Sequence, residues 1–408
     1  MTLPYVIPLR ILIDCRPQTP FRPILPVTLP HSRTMSARSS ETSLAPGLEL
    51  KSVLLKVESL APLCLAEDWD NVGLLIEPSA PHIVKNVFLC NDLTELVMEE
   101  AVEKQADLII AYHPPIFRPL KKLTQKSWKE RIVVKCLEHR IALYSPHTAS
   151  DAMYDGVNDW LAGVLGPGKV TPVIPKAPPP PPLTTTNGLK EGTPDREGTP
   201  SKHVHYKDYG LSREPTTKGR NSSAAEQQQA AKEALVGMGR RVTLETPLSI
   251  EVAVALIKRH LEVEHVRICY SNEFRNKERG VIHLIKSVAV CAGSGASVLK
   301  NVDAGLILTG EMSHHEVLEF NAKGQTVILA DHSNTERGYL KHVFAKRLHE
   351  LLNAPPKTPP KKHGCVGLPG GGAGGGSGSG TEVEKVKELG VEIKVIMSEI
   401  DCDPLTVV

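Results

Sequence analysis

The sequence lacks a charge excess of either sign. Lysine and arginine together number 48, against 46 aspartate and glutamate residues, which leaves a net charge of +2 over 408 residues. So close a balance provides no general attraction to nucleic acid or to an anionic membrane surface. Binding partners therefore have to be inferred from individual sites.

Long apolar runs and paired cysteines are also missing. No apolar stretch approaches the ~20 residues that a membrane-spanning helix needs, so we expect a soluble chain without a membrane segment. The eight cysteines are scattered without a CxxC pair, and no secretory apolar segment precedes them. This pattern predicts unpaired thiols in a reducing compartment.

The first 46 residues are poor in acids. They contain five arginines but only two acidic residues, Asp14 and Glu41. This composition is typical of a mitochondrial transit peptide, and a disordered, proline-broken extension fits it equally well. Met35 offers an alternative start that would remove the segment. We expect a cytoplasmic location, with the mitochondrion, or the nucleus reached through partners, as alternatives.

Two further segments have too few apolar residues to offset the entropy of ordering. One contains a proline run, and the other joins a proline-rich piece to a glycine- and serine-rich piece. The predicted organisation is an extension at 1–46, a first α/β domain at 47–166, a linker at 167–234, a second α/β domain at 235–353, an insertion at 354–380, and a strand-like tail at 381–408 that completes the fold.

The two predicted domains share one pattern. Short, continuous apolar runs, typical of strands buried on both faces, alternate with amphipathic helical stretches. The order β-α-β-α-β occurs in each domain, and Cys90 and Cys291 occupy the same place in its first strand. We predict an internal duplication, with two α/β domains facing each other across a cleft. Chance similarity between generic β-α-β units is the alternative.

Polar residues follow the predicted strands. Ligands of open parallel sheets gather outside the carboxyl ends of the strands, so these residues are candidates for a shared site. A set of imidazoles and carboxylates suits Zn, Mn, Fe or Co. The candidates are Tyr112, His113, His147, Asp151, Glu311, His314, His315, Asp331, His332 and Glu336.

Several candidates have a structural alternative. Glu336 lies in the first turn of a predicted helix, where a carboxylate offsets the helix dipole whatever else it does. For His147 a hydrogen-bonded loop histidine is the favoured interpretation. For His314 and His315, at the start of a helix, we favour a supporting or solvated role. His113, Asp151, His332 and Glu336 are the strongest candidates.

Seven sequence blocks carry a family resemblance from about residue 48 to the C-terminus. The chain resembles the Nif-three-like family, also known as the GTP cyclohydrolase I type 2 family, and in particular its eukaryotic members. The blocks, in chain order, are AEDWDNVGLLIE, AYHPPIF, SPHTASDAMYDGVNDWL, GMGRRVTL, CAGSGASVL, LTGEMSHHE and DHSNTERGYL.

The resemblance implies a two-domain α/β protein that forms ring-shaped hexamers and holds a pair of divalent metals between its domains. The ligand positions that it implies are Tyr112, His113, Asp151, His332 and Glu336. Tyr112 stands where the family usually has a histidine, and a phenol that titrates near ~10 is a poor ligand at neutral pH. We therefore expect one or two ions, with the site that uses Tyr112 weakened or empty.

Two function classes remain open on this basis. The favoured one is an interaction or regulatory protein, linked to transcription through protein partners, with a weakened dinuclear metal site. The alternative is a metal-dependent hydrolase of the GTP cyclohydrolase type that acts on a nucleotide or related small molecule. No basic stripe or groove-reading motif occurs, so we expect no direct contact with nucleic acid.

Overall fold

Two mixed β-sheets, each covered by helices, form the described part of the chain. The structure is a computed structural model, and it describes residues 47–179, 229–230, 232–275, 283–355 and 392–407. The predicted N-terminal extension, most of the predicted linker and the predicted insertion at 354–380 lie outside the described residues, apart from 354–355.

The first half of the fold begins with a short strand and a helix and then alternates strands and helices. Its elements are β1 (Leu48–Glu49), α1 (Leu50–Leu60), β2 (Gly73–Ile76), β3 (Ile83–Val84), β4 (Asn86–Cys90), α2 (Glu95–Glu103), β5 (Leu108–Ala111), α3 (Trp128–Glu138), β6 (Ala142–Ser145), α4 (Thr148–Ala152) and α5 (Val157–Ala162).

The second half repeats this alternation, and the chain ends with a strand. Its elements are β7 (Gly168–Pro175), β8 (Gly237–Leu248), α6 (Ile250–Leu261), β9 (Arg267–Cys269), α7 (Asn272–Arg275), β10 (Ile285–Cys291), α8 (Ala296–Leu299), β11 (Leu306–Thr309), α9 (His314–Ala322), β12 (Thr326–Leu329), α10 (Asn334–Tyr339), α11 (Ala345–Leu352) and β13 (Lys394–Met397).

The sheets have related topologies. The five-stranded sheet has the order β13-β4-β5-β6-β2, and the six-stranded sheet has the order β7-β8-β10-β11-β12-β9. In each, three consecutive strands are parallel and an antiparallel strand follows at one edge. Cys90 pairs with Ala111 in one sheet, and Cys291 pairs with Thr309 in the other. The predicted α/β fold with two related halves is confirmed.

The central strands explain this architecture. Every residue of β5 and of β11 is buried. Their continuous apolar runs predicted this, because such runs are typical of strands covered on both faces. Ile110 of the first sheet and Leu308 of the second belong to one hydrophobic cluster, so the halves pack together. The buried Asn158 of α5 also joins them, because its side chain bonds Asp151 O at 3.0 Å and Ala292 N at 2.9 Å.

Strand β7 differs from the prediction, because it lies within the range assigned to the linker. It pairs with β8 at the edge of the six-stranded sheet. Pro172 and Pro175 gave the segment its linker-like composition, and an edge strand is where a sheet tolerates proline. Composition alone could not reveal a strand that is ordered by its partner. The other proposed domain boundaries stay predictions.

At the C-terminus, β13 pairs in parallel with β4 and thereby extends the first sheet. This strand occupies the place beside β4 that β8 occupies beside β10. None of the helices in the described ranges is both long and apolar enough to cross a membrane.

Candidate metal centre

The backbone beyond β5 fixes the position of His113. Tyr112 N donates to Cys90 O at 2.9 Å, and His113 N donates to Asn91 O at 3.0 Å, so sheet-like bonding continues for two residues past the strand. Pro114 and Pro115 then end the pairing, since proline has no N–H to donate. His113 therefore lies at the carboxyl end of the sheet, where the two halves meet.

The two ring nitrogens of His113 each face a carboxylate, but only one of them makes a well-formed hydrogen bond. Its Nδ1 lies 2.9 Å from Asp92 Oδ1. Its Nε2 is buried and has no partner that meets hydrogen-bond geometry, although Glu336 Oε2 lies 3.2 Å away. A buried nitrogen without a hydrogen-bond partner costs free energy unless something binds it.

His332 and Glu336 approach the same point from the second half. Glu336 lies in the first turn of α10, and His332 precedes that helix, so its Nε2 comes within 3.5 Å of Glu336 Oε1. The carboxylate of Glu336 is almost fully buried, and Asn91 Nδ2 donates to its Oε2 at 2.9 Å. Helix geometry and a buried hydrogen bond therefore both orient this side chain.

Ligand atoms of His113, His332 and Glu336 all lie within 4.8 Å of one another. Gly293 keeps space between two of them: a Cβ added there would lie 2.8 Å from Glu336 Oε1 and 2.9 Å from His332 Nε2. The Nε2 nitrogen of His113 and this glycine both fit a divalent cation. A set of two imidazoles and one carboxylate is suited to Zn and to other first-row metals.

Three imidazoles at this centre are each held by a carboxylate through Nδ1. Such pairing fixes the ring and leaves Nε2 available, and it is the usual arrangement around metal-binding histidines. The pairs are His113 with Asp92 at 2.9 Å, His147 with Asp70 at 2.7 Å, and His332 with Glu311 at 2.8 Å.

Electrostatics support the same interpretation. Burial alone would lower the pKa of His113, but the Glu336 and Asp92 carboxylates hold that pKa well above its usual value. Burial raises the pKa of Glu336, but His113, His332 and the hydrogen bond from Asn91 together outweigh burial, so the net shift is downward. The carboxylates therefore favour a positive charge at this point, which a cation on Nε2 would supply in place of the imidazolium proton.

Tyr112 and Asp151 bond to each other. The buried Tyr112 Oη donates to Asp151 Oδ1. Burial, and then the charge of Asp151, raise the pKa of Tyr112 well above its usual value, so the phenol keeps its proton. Burial raises the pKa of Asp151 to about 6. The structure thus brings three of the five predicted ligands together and places the other two beside them as a pair. Ligand roles for all five stay a prediction.

The remaining candidates have other surroundings. The ring of His147 lies 5.4 Å from that of His113, centroid to centroid, and its backbone φ of 33° is unusual for a residue with a side chain. His314 and His315 are exposed at the start of α9. Asp331 bonds Arg267 at 3.0 Å.

Sequence reasoning missed the residues that orient the ligands. Asn91 and Asp92 directly follow β4, so the rule that selected residues at the other strand ends would have found them. Asp70 lies in the loop three residues before β2, and its bond to His147 has no signal in the sequence. The same is true of Asp401, whose carboxylate accepts from Asn91 N at 2.7 Å.

A cavity of about 500 Å³ opens beside the centre. His113, His332 and Glu311 line one side of it, so two of the three candidate ligands, His113 and His332, face open space. Trp128, Lys129 and Arg267 are among the other lining residues. The arrangement can hold a cation and also admit a small molecule next to it.

Known proteins are similar in sequence to this chain. The sequence pattern of the family described as Duf34/NIF3 (NGG1p interacting factor 3) matches residues 48–357. The chain belongs to the Duf34/NIF3 family. "NIF3-like protein 1" of Rattus norvegicus is 42% identical over 328 residues, which cover 72% of this chain and 86% of that protein. "NGG1-interacting factor 3" of Saccharomyces cerevisiae is 34% identical over 296 residues, 70% of this chain and 84% of that protein. The resemblance carried by the seven sequence blocks is confirmed.

A solved structure shares the fold of this Duf34/NIF3 family member. It is a Bacillus cereus protein described as related to NIF3, with a TM-score of 0.58 and 20% identity, and the match covers 89% of this chain and 100% of that one. At this level of identity the likeness shows the fold alone.

Substitutions at Tyr112 test its place in the Duf34/NIF3 centre. Tyr112→Phe is expected to leave the affinity for one divalent cation unchanged, because the phenol is outside the three converging ligands. Losing its bond to a buried carboxylate should lower the free energy of unfolding by about 1–3 kcal/mol.

Tyr112→His should instead add a second bound ion. Calorimetric titration with Zn²⁺ and urea unfolding measure these effects. Weaker binding by Tyr112→Phe, or unchanged stoichiometry in Tyr112→His, would contradict this account.

Proposed function

We propose that this Duf34/NIF3 family member is a hydrolase that uses one divalent cation held by His113, His332 and Glu336. The observation that carries the proposal is a cluster of three candidate ligands, two of which, His113 and His332, line a cavity. Structural zinc sites are closed by four protein ligands, whereas catalytic sites have three and an open position. The sequence favoured the interaction class because of Tyr112, and that reason weakens because the three ligands do not include it.

Each side chain has a distinct task in this proposal. His113, His332 and Glu336 would hold the cation, which when bound would lower the pKa of a coordinated water toward ~7. Asp92 and Glu311 orient the two imidazole ligands. His147 and Asp70 form a third carboxylate-held imidazole next to His113, and we assign it the role of proton acceptor.

The lining of the cavity is mixed in charge, so the bound cation, and not the wall alone, would attract an anionic small molecule. Lys129 and Arg267 lie in the wall together with the carboxylates of Asp92, Glu311, Asp331 and Asp403, and the partly exposed Trp128 offers a ring for stacking. A phosphorylated compound with a planar ring, of the nucleotide type expected from the family resemblance, fits this combination.

Hydrolysis with matched variants tests the proposal. The purified protein, loaded with Zn²⁺, Mn²⁺ or Co²⁺, is incubated with a panel of nucleotides and phosphate esters, and products are followed by chromatography. His332→Ala should lose the activity, because it removes a ligand. His315→Ala removes an exposed imidazole from a nearby helix and should keep it. Equal turnover by both variants, or none by the wild type, would refute the hydrolase.

Protein interaction is the second candidate. The name of the yeast relative, "NGG1-interacting factor 3", supports it. Two exposed aromatic side chains near the centre, Trp69 and Phe117, whose rings lie 6.0 Å apart, support it as well. We propose protein partners and homo-oligomers, hexamers by resemblance, on this basis. Partner capture that survives in a protein without hydrolytic activity, and is lost in Trp69→Ala, would favour this candidate.

A further inference from the structure

The C-terminal segment reaches the metal centre from outside the range that the family pattern matches. That range ends at residue 357, and the described part of the C-terminal segment begins at residue 392. Strand β13 runs parallel to β4, and Ser398 N then donates to Leu89 O at 2.8 Å, so the pairing follows β4 almost to its end. The residues that follow Ser398 therefore lie beside Asn91 and Asp92, which directly follow β4.

Asp401 caps that strand end with its carboxylate. Oδ2 accepts from Asn91 N at 2.7 Å, and Oδ1 accepts from Asp92 N at 3.4 Å. The side chain is 3% exposed, and Arg337, the residue after Glu336, lies 3.4 Å from Oδ1. The buried carboxylate of Asp401 thus contacts two parts of the protein. One is the backbone just after β4, in the first half, and the other is α10 of the second half, which carries Glu336.

The two residues capped by Asp401 are those that orient the candidate ligands. Asn91 Nδ2 donates to Glu336 Oε2 at 2.9 Å, and Asp92 Oδ1 lies 2.9 Å from His113 Nδ1. A displacement of this short backbone stretch would therefore move both orienting side chains together.

We propose that Asp401 is a positioning residue that presets the geometry of the cation site through Asn91 and Asp92. The proposal rests on the cation site of the proposed function but not on any reaction. Asp401 does not join the cluster of converging ligands, so its role is to orient and not to bind. The C-terminal segment then helps to orient the candidate ligands, although Asp401 and Asn91 are 310 positions apart in the sequence.

Cobalt binding by the full-length protein tests this role. Asp401→Asn keeps the shape of the side chain but removes its charge and one acceptor oxygen. We expect Co²⁺ affinity to fall about 10- to 100-fold, the usual effect of losing an outer partner of a metal ligand. The visible absorption spectrum of bound Co²⁺ should also change, because the ligands are held differently. A role in stability alone would lower the unfolding temperature and leave the spectrum as it is.

Asp403→Asn is the matched control. Asp403 is two residues away, lines the same cavity, and bonds only its own turn, through Leu405 N at 2.8 Å, among the described residues. The control removes the same charge from the same cavity. Equal loss of Co²⁺ affinity in both variants would therefore overturn the proposal. Wild-type affinity in Asp401→Asn would overturn it as well. A wild type that binds no Co²⁺ would instead refute the cation site itself.

Ser398→Ala provides a second route if Asp401→Asn does not fold. Ser398 Oγ accepts from Asp401 N at 3.0 Å and so holds the turn that carries the carboxylate. This variant should weaken Co²⁺ binding while Asp401 keeps its charge. Binding as tight as in the wild type, with an unchanged spectrum, would count against the positioning role.

Discussion

Glu336→Gln is expected to abolish stoichiometric binding of a divalent cation. Glu336 is the only carboxylate among the converging ligands of the described cluster, and glutamine keeps its shape without its charge. Residues that only support a metal ligand typically contribute about 10- to 100-fold to the affinity for the metal. Glu336 is itself a candidate ligand, so we expect its loss to lower the affinity by about 100-fold or more. Calorimetric titration with Zn²⁺ and metal analysis after dialysis measure it.

A surface glutamate provides the control for this prediction. Glu319 on α9 is half exposed and pairs with Lys323 four residues later, so Glu319→Gln should bind the cation as the wild type does. If Glu336→Gln retained one equivalent of metal at the same affinity, the three residues would not be its ligands.

The sequence predicted the scaffold of the centre better than its details. Continuous apolar runs such as β5 and β11 are visible without a structure, because strands buried on both faces need no alternation. The polar residues at their ends follow from topology, and His113, His332 and Glu336 were found in this way. Strand β7 was missed because its order comes from pairing with β8, which lies across the predicted linker.

Contacts between side chains could not be read from the sequence. Tyr112 was treated as a substituted ligand, and its bond to Asp151 depends on the position of α4, which spacing does not give. Asp401 and Asn91 are likewise joined only by the return of the C-terminal strand to β4. Long-range hydrogen bonds of this kind leave no periodic pattern, so the candidate ligands were predictable, whereas the contacts of Asp70 and Asp401 were not.

Arg240→Met is expected to produce the largest loss of stability. Arg240 is fully buried and forms two hydrogen bonds of 2.8 Å with Asp159 of α5. It also donates to three carbonyl oxygens, those of Met153, Gly237 and Gly239. Methionine fills much of the space but leaves Asp159 without its counter-charge. Removing one partner of a buried ion pair costs about 3–5 kcal/mol, which urea unfolding should detect.

Arg241→Met is the control, because this neighbour is partly exposed and bonds only Asp303 O and Thr243 Oγ1 among the described residues. Its loss should cost less than about 1 kcal/mol, as expected for a surface position. The double variant Arg240→Met with Asp159→Leu separates charge from packing. Removing the stranded carboxylate should recover part of the lost stability, since apolar replacements of both partners are often tolerated. A double variant less stable than Arg240→Met would show that the unpaired carboxylate is not the source of the loss, because Asp159 Oδ2 also accepts from Asp155 N at 2.8 Å.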